Sequence, residues 1–165
     1  MKTGNLSPRR RLFLAGLAAA IVIGAAQSSA SIEAGGMGVP DGDHVLGLSF
    51  RGRHRAYPLR YFSPAAVVND QIRQQEVAVF HDGDRGLSRA YFRMVLGEPI
   101  EFSGGVKDAL ADDLSTITRW DMTSGKAVGG NLIGMELIPL ELTRTSWEEW
   151  LASHPDTTVF SPEAP

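Results

Sequence analysis

From His44 to Arg144 the apolar residues come in short runs, each cut by glycine, proline or a polar turn. That spacing belongs to an all-β domain, because a strand needs only a few residues between turns. Val45 to Phe50 reads as a strand, Arg51-Gly52-Arg53 as a turn, and His54 to Tyr57 as the hairpin partner, closed by Pro58. Val77 to His81 is a further strand, Asp82-Gly83-Asp84-Arg85-Gly86 a turn, and Leu87 to Arg93 the return. Shorter strands are expected at Ile100–Phe102, Ser115–Trp120, Lys126–Val128, Glu136–Ile138 and Leu140–Arg144.

Two places depart from this pattern. Ser63-Pro64-Ala65-Ala66 offers an N-cap followed by proline at the first helical position, so a short helix is expected to begin there. Thr145 to Leu151 is the clearest helix: Thr145 and Glu148 form a capping box, and Trp147, Trp150 and Leu151 share one face. His154-Pro155 stops it. The two tryptophans read as core anchors for this helix, with a partner-binding surface as the other reading. Ser31 to Asp43 is rich in glycine and small residues, and reads as a flexible tether ahead of a single β-rich domain, 44–160, with a tail at 161–165.

The N-terminus is of another kind. Met1 to Arg11 is basic, Leu12 to Ala26 is uncharged and apolar, and Ser28-Ser29-Ala30 supplies the small residues a signal peptidase needs. Arg10-Arg11-Leu12-Phe13-Leu14 fits the core of a twin-arginine signal, which exports folded cargo. The expectation is a signal peptide over residues 1–30, with a mature start near Ser31 and a periplasmic or secreted product. An ordinary secretory signal is the second reading. Retention as a membrane anchor is the third, and Gln27-Ser28-Ser29 is too polar to lengthen the apolar run well. The fold class expected overall is mainly β, a compact barrel or sandwich with a short C-terminal helix, preceded by an N-terminal signal helix.

Charge and cysteine content narrow the chemistry. The leader carries Lys2, Arg9, Arg10 and Arg11 and no acid, which leaves 12 basic residues against 19 acidic ones, a net of −7. Such a domain is repelled by phosphate backbones, so nucleic acid is not expected as a partner. With no cysteine there are no disulfides, thiol nucleophiles or thiolate metal sites. The four histidines have no metal-ligand spacing, and no cofactor is expected.

Some residues remain as candidates for a site. Asp70 and Asp113, with Asn69, have the chemistry of a carboxylate pair for acid–base work; Asn69-Asp70 also reads as a turn or cap, and Asp113 as part of an acidic patch with Asp108 and Asp112. Arg55 and Tyr57 flank Ala56 and so share a strand face, where they would meet an anionic ligand or a structural carboxylate. His81-Asp82-Gly83-Asp84 has the look of a metal cluster, but the twelfth position from Asp82 is Arg93, where a calcium loop needs glutamate. A polar hairpin turn accounts for Asp82-Gly83-Asp84. Gly129-Gly130-Asn131-Leu132-Ile133-Gly134 lacks the Lys-Ser/Thr ending of a phosphate loop, and reads as turns or bulges.

The order of motifs from Val45 to Phe160 resembles an exported prokaryotic family, domain of unknown function 3179. Arg55-Ala56-Tyr57-Pro58 is similar to its R-A-Y-P segment and Val68-Asn69-Asp70 to its V-N-D. Asp113, Thr116, Thr118 and Trp120 fall on its D-x-x-T-x-S-x-W, with threonine for serine at Thr118. Gly125, Ala127, Gly130 and Gly134 follow its glycine run, and Ser146-Trp147, Glu149-Trp150 and His154-Pro155 its tail. Typical members carry C-P-L-C after the central strand and a His-Glu pair before V-N-D. Here Asp82 and Arg85 stand at the cysteine positions, and Ala65 and Ala66 at those of the pair. The resemblance implies a member without the metal or redox site that such residues would form.

The function expected is a non-catalytic exported domain that binds an envelope protein or a small ligand. The alternative is an enzyme or metal-binding protein whose site assembles from Asn69, Asp70, His81 and Asp113. Arg55 and Tyr57 join that set as ligand-binding candidates. A membrane partner is expected only if the signal helix is retained.

Overall fold

The computed structural model describes residues 31–33 and 38–162; the signal segment lies outside them. β1 (Ser31–Glu33) is followed by β2 (His44–Phe50) and β3 (Arg53–Pro58), a hairpin turned at Arg51-Gly52. A 3-10 turn at Leu59–Phe62 leads into the meander β4 (Ala65–Ile72), β5 (Gln75–Asp82) and β6 (Leu87–Phe92). A small hairpin, β7 (Met94–Val95) and β8 (Glu98–Pro99), precedes a second meander. Its strands are β9 (Phe102–Lys107), β10 (Leu110–Asp113), β11 (Thr118–Asp121) and β12 (Lys126–Gly130). β13 (Pro139–Leu140), β14 (Leu142–Ser146), α1 (Trp147–Ser153) and β15 (Thr158–Phe160) follow.

The strands form two main sheets. One has eight strands in the order β12-β11-β10-β9-β4-β5-β6-β13, the other five in the order β1-β15-β3-β2-β14. The larger sheet curls into a half-barrel. Residues 135–138 bridge its two sides, since Leu137 N–H donates to Gly125 O at 2.8 Å and Phe92 N–H donates to Ile138 O at 2.9 Å. Tyr91 Oη adds a buried bond to Met122 O at 2.9 Å. Only Glu141 separates β13 from β14, so one extended segment passes from the large sheet to the small one.

Alternation along the strands sorts side chains into layers. In β5, Ala78 and Phe80 face the half-barrel interior with Trp120, Met122 and Tyr91, while Val77 and Val79 face outward. That outer face packs against Leu46, Leu48, Tyr57 and Phe160 of the smaller sheet. The smaller sheet's far side carries Val45, Ala56 and Val159 and is covered by Trp147 and Trp150 of α1. Gly47 allows this covering: a Cβ there would lie closer than 3.0 Å to three carbons of the Trp150 ring.

The mainly β class with a C-terminal helix stands, as half-barrel and layered sheets together. Several local expectations do not. No helix starts at Ser63-Pro64; Ala65 and Ala66 open β4, where eight register pairs with β5 outweigh the local capping signal. Asn69 and Asp70 lie inside that strand rather than at a turn. Residues 31–33, assigned to the tether, pair antiparallel with β15. Expected strand Glu136–Ile138 is no strand but an isolated bridge, Lys126 to Glu136, with single bonds from Leu137 and Ile138 to either side, and β10 is a strand that the sequence pattern does not announce. The helix begins one residue late. β14 holds Thr145 and Ser146 in its ladder with β2, so Ser146 becomes the N-cap, its Oγ accepting from Glu149 N–H at 3.3 Å.

Candidate functional site

A buried ion pair lies between the two sheets. Asp70 on β4 and Arg55 on β3 are 2% and 3% exposed, and Tyr57 is fully buried. Arg55 Nη2 donates to Asp70 Oδ1 at 2.9 Å, Arg55 Nε lies 2.6 Å from Oδ2, and Tyr57 Oη donates to Oδ2 at 2.7 Å. The Gln71 N–H adds a bond to Oδ1 at 2.7 Å. Burial, and then the Asp70 charge, raise the Tyr57 phenol well above its ordinary value, so it stays a donor. The structural carboxylate expected for Arg55 and Tyr57 is thus Asp70 itself. Both carboxylate oxygens are thus taken up by groups of the protein itself.

Asn69 points to the other side of β4 and ties it to β9. Its Nδ2 donates to Phe102 O at 2.8 Å, and its Oδ1 accepts from Phe102 N–H at 3.0 Å. The amide therefore does what a facing strand residue would do. Beside it an open groove of about 360 Å³ runs along β4 and β9. Its lining includes Tyr61 and Phe160, Asn69, Ser103-Gly104, Glu101 and Leu114. Tyr61 and Phe160 meet edge to face at 6.1 Å.

Asp113 serves a turn. It accepts from Thr116 N–H at 2.6 Å and from Trp120 Nε1 at 2.7 Å, while Thr116 Oγ1 donates to it at 2.7 Å. Leu132 N–H donates to Thr118 Oγ1 at 3.1 Å. Asp113, Thr116, Thr118 and Trp120 are therefore one hydrogen-bonded unit that closes the β10–β11 turn.

His81 faces the space between the sheets, edge-on to Phe62, with Nδ1 2.9 Å from Ser88 Oγ. Burial and then the Arg144 charge hold its imidazole below the ordinary 6.5. Its neighbour Asp82 turns the opposite way and pairs with Arg85 at 2.8 Å, and Arg85 reaches Asp108 at 3.1 Å. The side-chain and backbone bonds from Arg85 lower the Asp82 carboxyl. Ala65 lies opposite Asp82 and Ala66 opposite His81 in the ladder. Positions 65, 66, 82 and 85 are thus neighbours in space.

Asn69 bonds to Phe102, Asp70 to Arg55 and Tyr57, His81 to Ser88, and Asp113 to Thr116 and Trp120, so the four candidates serve different local networks. No group of three or more His, Asp or Glu arranged to hold a metal occurs among the described residues. The groove residues Tyr61, Phe160 and Ser103-Gly104 are not among the residues that the sequence singles out. The one signal for them was the Ser103-Gly104-Gly105 run, since glycine within a strand marks a bulge or a close approach.

Residues 24–165 match the family described as Protein of unknown function (DUF3179), and the chain belongs to that family. No curated protein and no solved structure matches it.

Proposed function

We propose that this DUF3179 member is an exported, non-catalytic domain of the cell envelope that binds a small ligand or short peptide in the groove between Tyr61, Asn69, Phe102 and Phe160. One observation carries the reading: the candidate ionisable groups are tied to internal partners, while the groove beside them stays open and lined by aromatic and backbone groups. A mixed lining of this kind suits recognition of an apolar body with a few polar contacts. The Asp82–Arg85 pair stands where the family's thiols would be, and supports a role without redox or metal chemistry. Export rests on the Arg10-Arg11 leader.

Amide NMR of the domain with a library of small molecules and tripeptides tests the reading. Shifts concentrated at residues 67–69 and 101–104, lost when Ser103→Trp fills the groove, are expected. A library that perturbs no groove amide, or perturbs scattered surface amides equally in the variant, refutes it.

A further inference from the structure

Apolar side chains stand in solvent at the end of the half-barrel where β10 turns into β11. Leu114 is 65% exposed, Ile117 79% and Ile133 67%. Hydrogen bonds hold their loops side by side: Leu114 N–H donates to Glu101 O at 2.7 Å, and Asn131 Nδ2 donates to Thr116 O at 2.8 Å. The β7–β8 hairpin rises from the same end, its base closed by Ile100 N–H to Arg93 O at 2.8 Å. Its tip, Leu96, is 78% exposed.

Two of these residues also carry backbone strain. Leu96 has φ 54° and Ile117 φ 55°, a left-handed conformation that suits glycine or asparagine and is a genuine outlier for a β-branched residue. Each therefore combines an unfavourable backbone with an apolar side chain left in water. Neither contributes to a core, and an outer surface that covers them accounts for both features.

The exposed tips are all leucine or isoleucine on separate turns, whereas protein-binding hot spots favour tryptophan, tyrosine and arginine. The attachment of the leader points the same way. Ser31 pairs with Phe160, and Phe160 lines the groove together with Leu114 and Glu101. The described chain thus starts beside this end, and the apolar run Leu12 to Ala26 precedes that start in the sequence. We infer that Leu96, Leu114, Ile117 and Ile133 form a fringe that docks the domain on a lipid bilayer surface. The contact is apolar, and the net charge of −7 after the leader directs it to zwitterionic rather than anionic lipid.

The test uses a chain starting at Ser31, which keeps both sheets and α1 and removes the leader's own affinity for lipid. Co-sedimentation with phosphatidylcholine vesicles is compared for wild type, Leu96→Asn, Ile117→Asn and the double variant. Asparagine tolerates the left-handed backbone, so each variant should unfold at or above the wild-type denaturant midpoint. Vesicle binding should fall by about tenfold per substitution. Absence of wild-type binding, or equal binding by the double variant, overturns the inference. Self-association without lipid that the double variant abolishes, in a protein that ignores vesicles, overturns it in favour of contact between copies.

Discussion

Gly47→Ala adds one methyl group at the point where α1 presses on the smaller sheet. The backbone at Gly47 is outside the left-handed region, so alanine fits it and by itself would stabilise the strand by about 0.5–1 kcal/mol. Any loss must come from the Trp150 ring, which has little room to move. Trp150 is 4% exposed, stacks on His154 at 4.0 Å, and donates from Nε1 to Thr157 Oγ1 at 2.9 Å. Overpacking costs about 1–3 kcal/mol and breaking the indole hydrogen bond adds about 1 kcal/mol, so after the strand gain the substitution should cost about 1–3.5 kcal/mol net. Trp150→Ala should cost about 3–5 kcal/mol by emptying the site. In that background Gly47→Ala meets no ring, and should be neutral or stabilising. Urea unfolding of the four proteins of this cycle would then give a coupling energy of about 2–4 kcal/mol at an unchanged slope. Additive single effects would refute the contact between ring and backbone.

Asp70→Asn leaves Arg55 buried without its counter-charge and should cost about 3–5 kcal/mol; a wild-type melting curve would show that the ion pair does not join the sheets. Ser146→Ala should cost about 1 kcal/mol by removing the helix cap, and Thr145→Ala less, with the order of their denaturant midpoints as the check. The imidazole of His81 is held below 6.5 in the fold, so the unfolded chain binds the proton first as pH falls. Stability should thus be level above pH 6.5 and decline below it, and His81→Asn should flatten that decline in pH-resolved melts. Replacing Arg10 and Arg11 by lysine should abolish export if the leader uses the twin-arginine route, as read by fractionation; unaltered export would mark an ordinary secretory signal.

The strands that sequence made legible are those with local punctuation. Arg51-Gly52 and Asp82 to Gly86 are turns that write their own residue types, so β2, β3, β5 and β6 could be read to within a residue or two. β4 could not, because Pro64 and two alanines imitate a helix start, and only the long ladder with β5 says otherwise. β10 escaped notice because Asp112 and Asp113 look like a solvated acidic patch. In the fold Asp113 is 2% exposed and bonded to Trp120, seven residues away. Arg55 and Tyr57 were legible as a pair on one face, but their partner Asp70 came from another sheet, a pairing that no local pattern encodes. The groove depends on Phe160 meeting β4 and β9, and lies beyond any window of sequence.

The last strand of the chain is not at an edge of its sheet. β15 sits between β1 and β3, parallel to β3 through Thr158 and Arg55 and antiparallel to β1 through Phe160 and Ser31. A chain that stops before Thr158 leaves β3 a bare edge and, among the described residues, β1 with no strand to join. The beginning of the domain therefore waits on Thr158–Phe160, and the smaller sheet can close only once those residues are in place. Loss of Thr158–Phe160 would therefore act on two strands at once, taking the partner of β3 and the partner of β1 together.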